Sequence, residues 1–322
     1  DLNGWRLPIL FEEMCVPYDC AVVDFEKSEQ LSEGFLFINP NGRIPALIDR
    51  VRRVTVAESA ASGNHGQAVA AAGARLGIPV TVVMPQDAPA IKLRHTAYYG
   101  ARIIPFDRQR EDREAIAFGL AEAEGLTVVP SFDDRFVIAG QGTAGLEMRA
   151  QLAAQGLTAD RLLVCTGGGG FMAGCALAFE GTGTRLHTVE PEGFDDHAES
   201  FRLGRRVQAR QSPASDCDAL LTPTPGSLTF AINQPRVASG LVVTHAEVHE
   251  AMRFAFEHLA LVLEPGGAVC LAALLAGAMP VTGETVLATL SGGNVDPAPY
   301  GEILLPFGGR FADLYYRNSC SK

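Results

Sequence analysis

Lysine is nearly absent from this chain of 322 residues. It occurs only at Lys27, Lys92 and Lys322, and arginine supplies the rest of the 26 basic side chains. The net charge of -11 argues against nucleic acid as a partner, because phosphate backbones are bound by a basic face. Any chemistry that needs a lysine at a fixed position therefore has three candidates.

Long apolar runs are missing too. No run reaches the roughly 18 to 20 residues of a membrane span, and no basic region followed by an apolar stretch indicates a secretory signal. The seven cysteines are scattered, and no Cys-x-x-Cys occurs. We therefore expect reduced, buried thiols in a cytoplasmic protein, and neither a disulfide framework nor a zinc site.

From Ser62 onward, helical segments alternate with short, apolar, β-branched strands. The spacing predicts helices over 66–76, 90–99, 110–124, 138–154, 171–180, 246–260 and 267–277. It predicts strands over 79–83, 101–104, 126–130, 162–165, 185–189 and 285–290, and further strands upstream over 45–48 and 54–56. This alternation predicts an α/β fold of parallel sheets covered by helices on both faces. Residues 202–228 are predicted to form a surface excursion.

A run of four glycines, Gly167 to Gly170, follows a predicted strand and opens a predicted helix at Phe171. Successive N–H groups of such a run can turn toward one point beside the positive end of the helix, which favours a phosphate cradle over a plain tight turn. An alternative interpretation is a dinucleotide fingerprint, in which Gly168-x-Gly170-x-x-Ala173 is followed by Glu190 as the ribose ligand.

Two further motifs combine glycine with polar residues. Ser62-Gly63-Asn64-His65-Gly66-Gln67 also opens a helix, where it can hold a carboxylate or simply place Ser62 as an N-cap. Ser291-Gly292-Gly293-Asn294 follows the last predicted strand. Ligands of open parallel sheets collect at that end of the strands, although a loop with two glycines would look the same.

In this order and at these distances, the three motifs resemble the pyridoxal-phosphate (PLP) enzymes of fold type II. The threonine/serine dehydratases and serine racemases are the most similar, over roughly 62–297. Supporting stretches are Val83-Met84-Pro85, Ala88-Pro89, Lys92, Glu190 to Asp196, Pro225 to Phe230 and Glu264 to Ala268. The resemblance implies a two-domain PLP architecture and a PLP-dependent amino-acid ammonia-lyase that acts on serine or threonine, in a homodimer.

The resemblance also implies roles for individual residues. Gly167, Gly168, Gly169, Gly170 and the Phe171 N–H would bind the PLP phosphate. Asn64 would bond the 3′-oxygen of the ring, and Ser291 would face the ring nitrogen. Ser62, Gly63, Asn64 and His65 would hold the substrate carboxylate, with Ser62 as a base on one face of Cα. Glu190 and Asp196, with the Phe194 carbonyl, would bind Mg²⁺ or Ca²⁺, or else be two solvated acids.

One part of the family pattern is missing. The dehydratases carry Ser-x-Lys-x-Arg-Gly upstream of the Ser-Gly-Asn-His-Gly motif, and its lysine forms the Schiff base with PLP. No such segment occurs here. Lys92 matches a non-catalytic lysine of the family, and the surroundings of Lys27 match nothing. The covalent anchor of the cofactor is therefore predicted to be absent.

The segment that precedes the motifs has a resemblance of its own. Asn3 to Arg6, Phe11 to Met14, Asn39 to Leu47 with Pro45 as its cis-proline, and Glu58-Ser59 are similar to the thioredoxin-like N-terminal domain of a glutathione transferase. The predicted organisation is a transferase-like fragment over 1–60, a small PLP-fold domain over 61–145, a large one over 146–297 and an unassigned tail over 298–322.

Three functions follow from these resemblances. The first is an ammonia-lyase with feeble or no turnover, because it lacks the covalent anchor. The second is a non-catalytic protein that binds PLP or another phosphorylated small molecule reversibly. The third is a glutathione-dependent transferase, which rests on residues 1–59 alone.

Overall fold

The computed structural model describes residues 54–57, 63–107, 110–210 and 215–305. Lys27, Ser62, Lys322 and the transferase-like segment other than 54–57 lie outside these ranges. Within them, eight strands form two separate sheets of four, and every strand pairing is parallel. The predicted α/β fold with parallel, helix-covered sheets is confirmed.

The first sheet has the order β3-β2-β1-β4. Its strands are β1 (Val54–Ala57), β2 (Val80–Pro85), β3 (Arg102–Phe106) and β4 (Thr127–Val128), and its helices are α1 (Gly63–Leu76), α2 (Ala90–Tyr98) and α3 (Arg113–Glu124). Strand β1 is an inner strand, paired with both β2 and β4. The sheet therefore extends upstream of the predicted domain boundary at residue 61.

The second sheet has the order β7-β6-β5-β8. Its strands are β5 (Arg161–Cys165), β6 (Arg185–Pro191), β7 (Val237–Val243) and β8 (Val286–Ala288). The helices of this half are α4 (Arg135–Ala154), α5 (Gly170–Ala178), α6 (Asp196–Leu203), α7 (Ser227–Asn233), α8 (His245–Leu259), α9 (Pro265–Leu275) and α10 (Pro297–Leu304), with a 3₁₀ turn at Asp218–Leu220.

Burial explains why these segments form strands and helices. All six residues of β2 are buried, as expected of a parallel strand that is covered on both faces. Helix α5 is buried on nearly every side, and it crosses α4 where glycines allow close approach. A Cβ on Gly174 would lie 2.4 Å from the backbone nitrogen of Gly142, so the crossing requires glycine there.

Two segments differ from the sequence-based expectation. The prediction of a surface excursion over 202–228 was wrong in part, because Cys217, Leu220 and Thr222 are buried and helix α7 begins at Ser227. At the start of the unassigned tail, helix α10 buries Tyr300, whose ring contacts that of Phe256 at 6.1 Å between centroids. In the described ranges no helix combines the length and the apolar character that crossing a membrane would require.

Candidate active site

The glycine loop lies between the end of β5 and the start of α5. Its structure is held through its carbonyl groups, since Thr229 Oγ1 donates to the Gly168 oxygen at 2.7 Å and Asn233 Nδ2 to the Gly169 oxygen at 3.2 Å. Among the described residues, no acceptor bonds the N–H groups of Gly167 to Gly170. These donors therefore remain available at the N-terminus of α5, which fits an anion such as a phosphate.

Close contacts explain why every position of the loop is glycine. A Cβ on Gly168 would lie 2.2 Å from the ring of Phe132, and one on Gly170 would lie 3.0 Å from its backbone. A Cβ on Gly167 would lie 3.2 Å from the Leu220 Cα. Gly169 has φ +91° and faces the ring of His197. No pattern in the sequence had pointed to Phe132, because the contact joins distant segments.

His197 contacts the loop as a neutral imidazole. Burial lowers the pKa of His197 to about 4, although the backbone of Gly167 and Gly168 acts in the opposite direction. At neutral pH the side chain therefore brings no positive charge to the loop. Any phosphate held there would be stabilised by N–H groups and the helix dipole rather than by this histidine.

Asn64, in the first turn of α1, joins the second motif to the third. Its Nδ2 donates to Glu264 Oε1 at 2.5 Å, and its Oδ1 accepts from Asn294 Nδ2 at 2.6 Å. These two partners fix which way the amide points, because one is an acceptor and the other a donor. Within the described part of the chain, the second Nδ2 hydrogen has no acceptor.

Ser291 joins the third motif to the glycine loop. Its Oγ lies 3.0 Å from the Sγ of Cys165, the last residue of β5. Its neighbour Gly292 lies against Glu264, which donates its backbone N–H to the Gly292 oxygen at 2.9 Å. The three motifs that the sequence singled out therefore meet at one place, at the carboxyl ends of the second sheet's strands.

Lys92, on α2, is the one lysine in the described ranges. It is completely buried, and its Nζ lies 2.6 Å from Asp218 Oδ2 and 3.1 Å from Glu264 Oε2. Burial alone would lower the pKa of Lys92, but the charges of Glu264 and Asp218 outweigh it and raise the pKa above its usual value. The amine is therefore protonated and held in place at neutral pH.

His65 follows Asn64 in α1 and is also neutral. Burial lowers the pKa of His65 to about 4, although the backbone of Val129 acts against the shift. A histidine that is neutral at this depth can line a pocket or donate a hydrogen bond. The predicted neighbour Ser62 lies outside the described residues.

Glu190 and Asp196 are both buried, so neither is a solvated surface acid. Glu190 accepts the N–H groups of His197 and Ala198 at 2.8 Å, one on each oxygen. This buried role at the start of α6 speaks against the dinucleotide interpretation, in which Glu190 would bind a ribose. Burial, with the nearby Asp196, raises the pKa of Glu190 well above its usual range, and burial raises the pKa of Asp196 to about 8.

The described residues contain no group of three or more His, Cys, Asp or Glu side chains that could hold a metal ion. Two buried carboxyls with raised pKa values, one of which acts on the pKa of the other, would nevertheless be stabilised by a hard cation, since a cation favours the charged form of both. The two carboxylates and the Phe194 carbonyl would supply oxygen ligands, which are the kind that Mg²⁺ and Ca²⁺ prefer.

Comparison with known proteins agrees with this arrangement. A family model described as pyridoxal-phosphate dependent enzyme matches residues 43–292. An L-threo-3-hydroxyaspartate ammonia-lyase from a Pseudomonas species is 40% identical over 258 residues, which cover 80% of this chain and 79% of that enzyme. A serine racemase from Schizosaccharomyces pombe is 37% identical over 245 residues, 76% of this chain and 74% of the racemase.

Among solved structures, a serine racemase from Dictyostelium discoideum superposes with a TM-score of 0.66 at 32% identity, over 76% of this chain and 77% of that one. A threonine deaminase gives a TM-score of 0.69 at 36% identity, over 78% of this chain and 80% of the deaminase. The chain therefore belongs to the family of pyridoxal-phosphate dependent enzymes.

The family match begins at residue 43 and so includes Pro45 and Glu58-Ser59, on which the predicted transferase resemblance rested in part. The comparisons give that resemblance no support.

Proposed function

We propose that this chain binds PLP reversibly at the site where the three motifs meet. As an enzyme it would be an ammonia-lyase for small hydroxy amino acids such as serine or threonine, with little or no turnover. The observation that carries the proposal is the contrast between a complete glycine cradle and a family-matched region, 43–292, whose single lysine is Lys92. Lys92 is held between Asp218 and Glu264.

The chain's own residues would hold the cofactor at three points. The N–H groups of Gly167 to Phe171 would bind the phosphate, the remaining Nδ2 hydrogen of Asn64 would bond the 3′-oxygen, and Ser291 would face the ring nitrogen. Bound PLP serves as an electron sink for the amino-acid carbon skeleton. The turn at Gly63, Asn64 and His65 opens helix α1 and would hold the substrate carboxylate.

The lack of an anchor explains the low expected turnover. A protonated, ion-paired amine is neither a nucleophile nor a base, so Lys92 cannot replace the missing lysine without breaking both ion pairs. Losing a general base typically costs about 10² to 10⁴ in rate, and losing covalent activation costs more. Ser62 would remain as a base on one face of Cα.

The substrate class rests on the relatives and on the site. The relatives include a hydroxyaspartate ammonia-lyase, a serine racemase and a threonine dehydratase, all named for hydroxy amino acids or their reactions. A hydroxyl on Cβ is a group that elimination can remove.

We also propose that Glu190, Asp196 and the Phe194 carbonyl bind Mg²⁺ or Ca²⁺. The raised pKa values of the two carboxyls support this proposal.

The test is to mix the purified protein with PLP, reduce with borohydride and map adducts by mass spectrometry, with a parallel sample dialysed before reduction. We expect saturable PLP binding, no adduct at Lys92 and complete loss of PLP on dialysis. Pyridoxal is the matched control ligand, because it lacks only the phosphate, and we expect it to bind at least tenfold more weakly.

Two results would contradict the proposal. A single stoichiometric adduct at Lys27 or Lys92 would mean that the protein has recruited a substitute anchor, and the interpretation as a lyase with a covalently held cofactor would then survive. Equal binding of pyridoxal and PLP would mean that the glycine loop does not hold the phosphate.

A further inference from the structure

A row of four hydrogen-bonding side chains runs from the core of the second half to Ser291. Cys270 Sγ lies 3.4 Å from Thr289 Oγ1, which lies 3.5 Å from Cys165 Sγ, which lies 3.0 Å from Ser291 Oγ. The first three residues are buried, whereas Ser291 is exposed. The row therefore ends at the hydroxyl that the proposed function places against the PLP ring nitrogen.

The hydrogens along this row can all point the same way, toward Ser291. Thr289 Oγ1 accepts the backbone N–H of Cys165 at 3.1 Å and donates its own hydrogen to Cys165 Sγ. Burial raises the pKa of Cys165, so its sulfur keeps a hydrogen. Either atom of the contact between Cys165 Sγ and Ser291 Oγ can donate. When Thr289 donates to Cys165 Sγ, the Cys165 S–H can point to Ser291 Oγ, and Ser291 then keeps its own O–H for the exposed side.

We propose that Cys165 is a positioning residue that makes Ser291 a hydrogen-bond donor toward the PLP ring and so favours an unprotonated ring nitrogen. This inference rests on the proposed function. A protonated ring nitrogen would need Ser291 Oγ as an acceptor, and the Ser291 O–H would then turn back onto Cys165 Sγ. The Cys165 S–H would then turn to Thr289 Oγ1 and the Thr289 hydroxyl to Cys270 Sγ, so that, within the described residues, the buried Cys270 S–H would lose its acceptor, which disfavours that arrangement.

Donation by Ser291 to an unprotonated ring nitrogen would affect the reaction that the cofactor favours. An unprotonated ring withdraws electrons less strongly than a protonated one. A weaker electron sink favours loss of a β-substituent over transfer of the amino group to the cofactor. Cys165 would thus act on the choice of reaction without touching the substrate.

The test compares the wild type with Cys165→Ala and Cys165→Ser, each saturated with PLP labelled with ¹⁵N in the ring. The ¹⁵N chemical shift, followed against pH by NMR, gives the pKa of the ring nitrogen in the bound state. We expect Cys165→Ala to raise that pKa by about half a unit to one unit, since a weak S–H bond is lost. Cys165→Ser keeps a donor at the position and is expected to show no rise.

A second readout needs no cofactor. The infrared S–H stretching band that disappears in Cys165→Ala should move to higher frequency in Ser291→Ala, because the thiol loses its acceptor. Cys175→Ala identifies the band of a buried thiol at a different position, and that band should not move in Ser291→Ala.

The outcomes separate this inference from the proposed function. If PLP fails to bind the wild type, the proposed function is wrong and the role of Cys165 toward the ring is wrong with it. If PLP binds but the ring-nitrogen pKa is the same in the wild type and Cys165→Ala, only the inference is overturned. An S–H band that is unaffected by Ser291→Ala would overturn it as well.

Discussion

Lys92 carries a positive charge at a position that is completely shielded from water. Two carboxylates compensate it, and one of them, on Glu264, is itself only 2% exposed. Removing one partner of such a buried group leaves an uncompensated charge, which is more damaging than removing the whole group. The residue therefore matters for stability whether or not the chain has any activity.

We expect Lys92→Met to lower the free energy of unfolding by about 3–5 kcal/mol, because Glu264 is left buried without its cation. Adding Glu264→Gln to that variant should restore a large part of the loss. Urea denaturation of the wild type, the two single variants and the double variant gives the coupling free energy between Lys92 and Glu264. Arg202→Met, which breaks an exposed pair with Glu199, is the control and should change stability by less than about 1 kcal/mol. Additive effects of the two buried changes would contradict the ion pair.

The raised pKa of Asp196 predicts how the stability of the protein depends on pH. The pKa of Asp196 is raised to about 8 in the folded protein. Between about pH 4 and pH 8 the folded protein therefore keeps this proton, whereas the unfolded chain has released it. The stabilising effect of the proton is complete below the unfolded pKa and disappears as pH rises through 8. In EDTA, the wild type should therefore lose stability relative to Asp196→Asn between pH 5 and pH 8.

The control for this series is Glu122→Gln, which changes an exposed acid. The unfolding free energy of this variant should differ from that of the wild type by the same amount at every pH. Adding Mg²⁺ or Ca²⁺ at pH 8 should stabilise the wild type and leave Asp196→Asn unaffected if the proposed cation site exists. A wild type that does not respond to either ion would count against the cation.

At the scale of single residues, the sequence singled out the glycines and polar residues of the candidate site, but not the side chains that contact them. The glycine run and Asn64 were recognisable because consecutive glycines and a polar helix start have a local meaning. Phe132 and Cys165 were not, because a Phe or Cys looks the same in a sequence whether it contacts a residue of the candidate site or ordinary core. Their roles depend on contacts between distant segments.

At the scale of elements, the crossing of α4 and α5 depends on which face of α4 each glycine occupies. A Cβ on Gly145 would lie 2.8 Å from the Ala178 Cβ, whereas one on Gly140, in the same helix, would meet nothing within 4 Å. The two positions share a helix and differ only in their surroundings. They form a matched pair for measuring the crossing.

We expect Gly140→Ala to stabilise the protein by about 0.5–1 kcal/mol, because alanine loses less backbone entropy in a helix. Gly145→Ala should destabilise it by about 1–3 kcal/mol, because the crossing helices must separate or distort. Thermal or urea denaturation checks both. Two changes of the same sign would mean that the helices do not cross as closely as described.

Elements were predicted well where their signals are local. The boundaries of the predicted helices and strands agree with the structure to within a few residues for most elements. Helix α7 was missed because its first N–H groups are capped by Asp133, which accepts from Ser227, Leu228 and Thr229 from a distant part of the chain. Strand β7 was missed as well, and no local signal had separated it from the preceding loop.

At the scale of the whole molecule, polar contacts connect the first sheet's half to the second's. Asp296 accepts the N–H groups of Ala90 and Ile91 at the start of α2. Lys92 and Asn64 add their contacts with Glu264 nearby. The two halves are therefore joined where the candidate site lies. The sequence indicated a parallel α/β fold by periodicity, while the division into two sheets followed only from the family resemblance.

Three histidines whose pKa values are lowered should make the molecule sensitive to acid. Burial lowers the pKa of His65, His187 and His197 to about 4, below the unfolded value of 6.5. Their stabilising effect is present above pH 6.5 and is lost as pH falls toward 4, since the unfolded chain then binds more protons. Stability should therefore decrease over this window.

His187→Gln tests this at one position that bonds the Ser239 hydroxyl. Relative to this variant, the wild type should lose on the order of 1 to 3 kcal/mol of unfolding free energy between pH 6.5 and pH 4.5. His258→Gln, at an exposed position, serves as the control. The interpretation fails if the wild type and His187→Gln show the same pH dependence in urea denaturation.

The burial of Lys92 also gives the chain a built-in reporter. Between Lys27 and Lys322, a protease that cuts only after lysine has a single target, in the first turn of α2. The native fold hides that bond, so cleavage requires α2 to leave its place between the two halves. The rate of one cut then measures how often the site opens, and a ligand that holds the halves together should slow it.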